Sequence, residues 1–171
     1  MAKKILILGD DNFRDEELVY PYYRMREAGF EVTVAGINSK KEVKGKFGIP
    51  VAVDKDVSRC RAKDFDAVIV PGGFAPDKLR MSKDVLRIVK EMHDAGKVVA
   101  AICHAGWVIA SAGVVKGKTV TSYEAIKDDM VNAGANWVDK EVVVDGNLIT
   151  SRKPEDLPAF CREILKKLES I

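Results

Sequence analysis

One stretch of the chain joins a nucleophile to a proton carrier: Cys103 and His104 directly follow the apolar run Val98-Val99-Ala100-Ala101-Ile102. Such a run reads as a strand buried on both faces, and the apolar residues that continue to about Ala112 read as a short helix. The thiol therefore falls where a strand turns into a helix, the layout that exposes the serine of a nucleophile elbow. A helix start also favours thiolate over thiol through its dipole. Free cysteine is among the most buried residue types, so the position equally suits a structural thiol filling the sheet. The adjacent histidine tilts the reading towards chemistry. The only other histidine, His93, lies beside Val89 and Met92 on a helical face, where periodicity alone explains it.

The remaining thiols point elsewhere. Cys161 shares a helical stripe with Leu157, Ile164 and Leu168 and is expected in the core. Cys60 sits in Ser58-Arg59-Cys60-Arg61, where it reads either as an exposed incidental thiol or as one whose pKa the guanidinium groups lower. Three widely spaced cysteines with no Cys-x-x-Cys pair suggest neither a disulfide framework nor a zinc site. No His-Glu-x-x-His or Gly-x-Gly-x-x-Gly pattern is present, so no metal or other cofactor is implied. No histidine follows residue 104, which excludes a Cys-His-acid triad whose histidine comes from a later loop; an orienting acid is still required.

The elements that must position these groups alternate regularly. Ile5-Leu6-Ile7-Leu8 reads as a strand, Leu18 to Ala28 as a helix that Pro21 should kink or confine to a late start, and Val32 to Ala35 as a second strand. Residues 43–57, with Gly45, Gly48 and Pro50, read as a small hairpin excursion. Ala67 to Val70 is a third strand, halted at Pro71-Gly72-Gly73; Ser82 caps a helix through Met92, and Gly96 ends it. Val120 begins a further strand. A helix over Ile126 to Ala133, a hairpin turning at Asp145-Gly146 and a last helix from Pro154 to Leu168 follow. Repeated strand-helix units imply a mainly parallel sheet covered on both faces. Ligands of such sheets bind outside the carboxyl ends of the strands, which singles out Gly9-Asp10-Asp11, Pro71-Gly72-Gly73, Cys103-His104 and Ser122-Tyr123.

With 171 residues the chain suits one compact domain, 1–171. A hydrophobic fraction of 47% and a charged fraction of 32% exclude general disorder. A net charge of only +2 is too balanced for a nucleic-acid binder. No apolar run is long enough to span a bilayer, and Met1-Ala2-Lys3-Lys4 leads into a strand without a cleavage signature, so a cytoplasmic protein is expected.

Several short motifs together resemble the PfpI intracellular-protease and protein-deglycase family, of the class I glutamine amidotransferase-like superfamily. They are Ala101-Ile102-Cys103-His104, Pro71-Gly72-Gly73, Glu17-Leu18-Val19-Tyr20-Pro21, and Thr121-Ser122-Tyr123 with Ile126-Lys127-Asp128-Asp129-Met130. The likeness runs from about Lys3 to Leu168. It implies a flavodoxin-like three-layer sandwich with a nucleophile elbow at Cys103, assembly into dimers or hexamers, and a carboxyl at Glu17 against the thiol. It further implies a carboxylate, here Asp77 in place of the usual Glu, reaching the histidine of a neighbouring subunit, and Tyr123 as a pocket tyrosine. Two positions depart from the family pattern: Arg14 replaces an acid, and Ala105-Gly106-Trp107 replaces a small Gly-Pro pair. Trp107 is expected to pack inward with Ile109 and Ala110.

Each role has a physical basis. A carboxyl in a dry cleft stays protonated and can donate to a thiolate; lowering a thiol from about 8.5 to about 5.5 takes about 4 kcal/mol. By residue type alone Glu17 also suits a solvated acid of a helical first turn. Gly72 and Gly73 allow close backbone approach, so their amides could receive an oxyanion together with the amide after the nucleophile; a simple Pro-Gly turn is the alternative. The leading expectation is a cysteine-nucleophile hydrolase, a peptidase or a deglycase acting on glyoxal and methylglyoxal adducts. A second is a redox sensor or stress chaperone that uses oxidation of Cys103. A third, a receiver-type module built on Asp10-Asp11, lacks a phosphoacceptor after the third strand, where Pro71 stands.

Overall fold

The computed structural model describes residues 1–171. Its strands are β1 (Lys4–Leu8), β2 (Glu31–Gly36), β3 (Glu42–Lys44), β4 (Pro50–Ala52), β5 (Lys55–Asp56), β6 (Ala67–Val70), β7 (Val98–Ile102), β8 (Thr119–Val120), β9 (Asn136–Trp137), β10 (Val142–Asp145) and β11 (Leu148–Ser151). The helices are α1 (Asp15–Glu27), α2 (Ala75–Leu79), α3 (Lys83–Asp94), α4 (Gly106–Ser111), α5 (Lys127–Asn132) and α6 (Leu157–Glu169).

Seven strands form one sheet in the order β10-β11-β7-β6-β1-β2-β5. All neighbours are parallel except β10, which returns antiparallel to β11 through the Asp145-Gly146 turn. The continuous apolar runs predicted as strands lie at its centre: β6 and β7 are buried throughout, and β1 is buried from Ile5 onward. From β1 the chain steps outward to β2, whereas from β6 it steps the other way to β7. Right-handed crossovers therefore place α1 and α3 on opposite faces. Accordingly α1 packs with α6 over one face, while α3, α4 and α5 cover the other, completing a flavodoxin-like sandwich. The direction of winding reverses between β1 and β6, which opens a crevice at their carboxyl ends.

Local signals explain the boundaries. Ser82 accepts the Val85 amide at 3.3 Å and caps α3, and Gly96, at φ 72°, closes it. Several expectations need correction. Pro21 does not delay α1, which starts at Asp15 and continues through the proline to Glu27; the ring is buried, and packing of α1 against α6 offsets the lost hydrogen bond. Val120 does lie in a strand, but as the second residue of β8, which pairs with β9 in a separate two-stranded sheet. The hairpin over 43–57 is β3–β4, and its last residues add β5 to the edge of the main sheet. Cys60 is neither exposed nor activated: it is 1% exposed, and burial pushes its thiol up. Cys60 and Arg61 are extended after the 3-10 turn that ends at Arg59, and both arginines are exposed while the thiol is buried. Cys161 is in the core as expected.

Candidate active site

The adjacency β7-β6-β1 brings three distant segments together. Cys103 follows β7, Gly72 follows β6, and Glu17 projects from the first turn of α1, just after β1. Cys103 has a φ of 62°, a conformation L-residues rarely adopt. That strain turns the chain sharply from β7 into a single 3-10 turn and α4. The turn places Sγ at the strand end, as the elbow reading requires.

Gly72 lies between the two reactive groups. A Cβ there would stand 2.5 Å from Glu17 Oε2 and 2.7 Å from Cys103 Cβ, so only glycine fits. Its amide donates to Glu17 Oε2 at 2.7 Å. This corrects the expected pair of oxyanion donors: the Gly72 amide is already committed to the carboxyl. The backbone N–H groups of Gly73 and His104 instead point at the thiol.

Glu17 is fully buried, not a solvated acid. Burial pushes its carboxyl up to about 8, although the Gly72 amide, hydrogen-bonded to Oε2, and the neighbouring Cys103 thiol pull the other way; Oε1 has no hydrogen-bond partner. Burial first, and the Glu17 charge second, push Cys103 up to about 12; the His104 and Gly73 amides oppose this. The expected acidic thiol is thus absent beside an ionised Glu17. A carboxylate and a thiolate in contact in a dry cleft cannot both carry charge, so the two groups share a proton. A thiolate here requires a neutral Glu17.

His104 Nδ1 lies 3.4 Å from Cys103 Sγ. Tyr123 stacks on the imidazole with centroids 4.9 Å apart, and Trp107 meets its edge at 5.2 Å. Burial, and then the Lys46 ammonium, hold His104 below its usual pKa, so the ring is a neutral base at pH 7. Trp107 packs against the core with Ile109 and Ala110 as expected but is only half-buried: its indole N–H donates to Asp129 at 2.9 Å and its ring meets the edge of His104. Asp77, on α2, is exposed and does not line the cavity over its own Cys103.

That cavity holds about 170 Å³ and is lined by Glu17, Gly73, Cys103, His104 and Tyr123, with Arg14, Lys46, Phe74, Lys153 and Pro154 at the mouth. Sequence reasoning reached Arg14 only as a departure and missed Lys46, Phe74 and Lys153. Lys46 arrives from the β3–β4 loop, which the buried Asp15 carboxylate fastens by accepting the Phe47 and Ile49 amides at 2.8 and 3.0 Å. The one sequence signal for this was an acid at the start of α1. Asp10 and Asp11, the feature behind the receiver reading, are both ion-paired with Lys40.

A parallel α/β sandwich with a cysteine on a strained turn at the carboxyl end of a central strand defines a class of flavodoxin-like proteins built around a nucleophile elbow. Within that class this chain belongs to the DJ-1/PfpI family, whose model matches residues 3–167. It is 48% identical over 97% of its length to a deglycase of Pyrococcus abyssi, covering 99% of that protein. It is 46% identical, with the same coverage of both chains, to deglycase PfpI of Pyrococcus furiosus. A two-domain protein of Anabaena variabilis containing DJ-1/ThiJ/PfpI-like and ferritin-like domains superposes with a TM-score of 0.96 at 43% identity. The match covers 98% of this chain but about half, 48%, of that one.

Proposed function

We propose that the chain is a cysteine-dependent hydrolase that moves a small carbonyl-derived fragment from nitrogen to Cys103 and then to water, as a protein deglycase and as a peptidase. The observation that carries this reading is the strained Cys103 held between the buried Glu17 carboxyl and the amides of Gly73 and His104, facing a cavity of about 170 Å³. The deglycase names of the two archaeal relatives support it.

In the reacting state Glu17 keeps the proton and Cys103 is thiolate. Sulfur attacks the carbon attached to nitrogen. The C–S bond forms as the C–N bond breaks, and the departing amine takes from His104 the proton that the thiol gave up to the imidazole on becoming thiolate. Gly73 and His104 amides hold the negative charge that develops on oxygen. Water, deprotonated by His104, then attacks the same carbon, the C–S bond breaks, and the thiolate is restored. For an amide the enzyme-bound fragment is an acyl group; for a glycation adduct it is the two- or three-carbon remnant of glyoxal or methylglyoxal. Tyr123 orients His104 and borders the substrate.

No helix is long and apolar enough to cross a membrane, and we place the activity in the cytoplasm, on peptides and glycated amines. The site is proposed to be completed by self-association into a dimer or hexamer, with Asp77 of one subunit reaching His104 of the next. The α1–α6 face offers an open depression of about 1150 Å³ bordered by Tyr20 and Tyr23, which are 40% and 61% exposed. Aromatic residues of this kind are enriched at interfaces.

Parallel assays of a peptide amide, an aminopeptidase substrate and a methylglyoxal adduct, with wild type and Cys103→Ala, test the reading. Turnover of at least one substrate by wild type alone is expected. If none is turned over while mild peroxide adds oxygen to Cys103, the redox-sensor reading replaces it.

A further inference from the structure

The cavity over Cys103 is smaller than the several hundred Å³ typical of a site that encloses a whole ligand. Only a small fragment enters, and the remainder of any substrate lies across the mouth, where charge decides what is tolerated. Besides the thiol, the imidazole and the Tyr123 phenol, four ionisable side chains line this space: Arg14, Lys46, Lys153 and Glu17. Glu17 is buried beneath the thiol and shares its proton, so that pair carries one negative charge at most at working pH. Arg14 is balanced by Glu16 at 2.8 Å. Lys46 and Lys153 make no ion pair at all; the chain's ion pairs lie on other residues.

Lys46 is also held in place. Its ammonium lies 4.9 Å from the centroid of Phe74 and 5.6 Å from that of Phe47, so it is retained by two aromatic faces. Its backbone N–H donates to the Phe13 carbonyl at 2.8 Å. The loop that carries it is fastened to Asp15 through the Phe47 and Ile49 amides. Its field reaches the reacting groups, since it acts on the His104 imidazole. Lys153 stands on the opposite segment, next to Pro154, where Tyr123 also borders the cavity.

We infer that Lys46 and Lys153 are specificity-determining residues that select substrates bearing a carboxylate within a few bonds of the carbon that joins Cys103. The inference rests on the proposed chemistry of Cys103 and names the substrate class within it. Adducts carried on acidic carriers are preferred, and those on cationic amines surrounded by lysine or arginine are rejected. A narrow mouth with low-dielectric aromatic walls concentrates such a field.

Alkylation tests the charge selection without turnover. Iodoacetate and iodoacetamide are similar in size and differ in charge, and their rate ratio at Cys103, divided by the same ratio on the denatured chain, reads the field at the thiol. Measured on the native assembly, this ratio includes any acid that a neighbouring subunit brings to His104. At low salt it should exceed unity by about tenfold, and it should collapse towards one at about 0.5 M salt, where screening acts within a few ångströms. Lys46→Gln with Lys153→Gln should abolish the preference, the corresponding double Glu variant should reverse it, and Lys46→Arg with Lys153→Arg should retain it. A ratio near one in wild type, or one unchanged in the double Gln variant, overturns the inference. The methylglyoxal hemiaminals of β-alanine and ethylenediamine then separate the two levels of argument. Equal kcat/KM for both defeats charge selection and leaves the hydrolase reading standing. Charge-selective alkylation without turnover of either supports the selection and defeats the hydrolase reading.

Discussion

Replacing Glu17 by leucine removes the one buried carboxyl whose charge acts on the Cys103 thiol, and the size of the effect follows from how the two groups share protons. The thiol value of about 12 belongs to a sulfur beside a carboxyl that has already ionised, whereas the carboxyl value of about 8 marks the first loss from the pair. The gap corresponds to about 5 kcal/mol between the first and second deprotonation. At pH 7 a pair with a first step near 8 is about one-tenth deprotonated. That charge is delocalised between a carboxylate next to a thiol and a carboxylic acid donating to a thiolate. In Glu17→Leu the thiol titrates alone in a dry cleft, above its ordinary value of about 8.5, with well under ~3% ionised at pH 7.

Iodoacetamide alkylation of Cys103 should therefore rise through a step near pH 8 in wild type. In Glu17→Leu the step should move above about pH 9 and the rate at pH 7 should fall on the order of tenfold. Leucine also strands the Gly72 amide, costing about 1–3 kcal/mol of stability, so Glu17→Gln is the necessary companion. Its oxygen can still accept from Gly72 and its NH2 can still donate to sulfur, which should give an intermediate rate at nearly intact folding. The reasoning is refuted if Glu17→Leu keeps the wild-type pH profile while folded, or if wild type shows no step below pH 10.

Glu17 also sets a pH dependence of stability. Its folded pKa of about 8 lies above the unfolded value of 4.5, so the folded state retains the proton more tightly. The resulting stabilisation is complete below about pH 4.5 and is lost progressively up to pH 8, in total about 5 kcal/mol. The melting temperature of Glu17→Gln should accordingly gain on wild type between pH 5 and 8.5, and parallel curves would contradict the assignment. For the shared site, mixing Cys103→Ala with Asp77→Ala subunits should restore turnover absent from either parent. A fully active Asp77→Ala protein, or an active wild-type monomer in sedimentation, would end that proposal.

Elements whose evidence is local were legible in the sequence. β1, β6 and β7 are continuous apolar runs, α3 carries both a capping serine and a closing glycine, and Asp145-Gly146 marks its own hairpin. What escaped depends on partners. The onset of β8 at Thr119 and Val120 says nothing about pairing with β9 rather than the main sheet. Pro21 carries a local penalty that only tertiary burial of its ring can offset. Cys60 was obscured by its charged neighbours, because only the 3-10 turn that ends at Arg59 and the extended backbone after it bury the thiol between two exposed arginines. Trp107 packs against the core as its type suggested, but the acceptor of its indole N–H, Asp129, lies on a different helix and could not be read from the sequence.

The candidate site shows the same division more sharply. Strand ends at Pro71-Gly72-Gly73 and Cys103-His104 can be read one at a time, but the order β7-β6-β1 makes Gly72 the wall between Glu17 and Cys103. Once Gly72 stands there, its single N–H can serve the carboxyl or an oxyanion and not both, and the structure commits it to Glu17. The remaining donors, the amides of Gly73 and His104, already face sulfur. In the proposed reaction, negative charge leaves sulfur as it builds on the oxygen of the attacked carbon, close by in the same field. Two fixed amides can then follow that charge across the forming bond without reorganising, while Glu17, held by the Gly72 amide, keeps the proton that makes the thiolate available. The neutral carboxyl and the pair of amides are therefore one device: either alone would leave a buried charge unmatched at one end of the reaction.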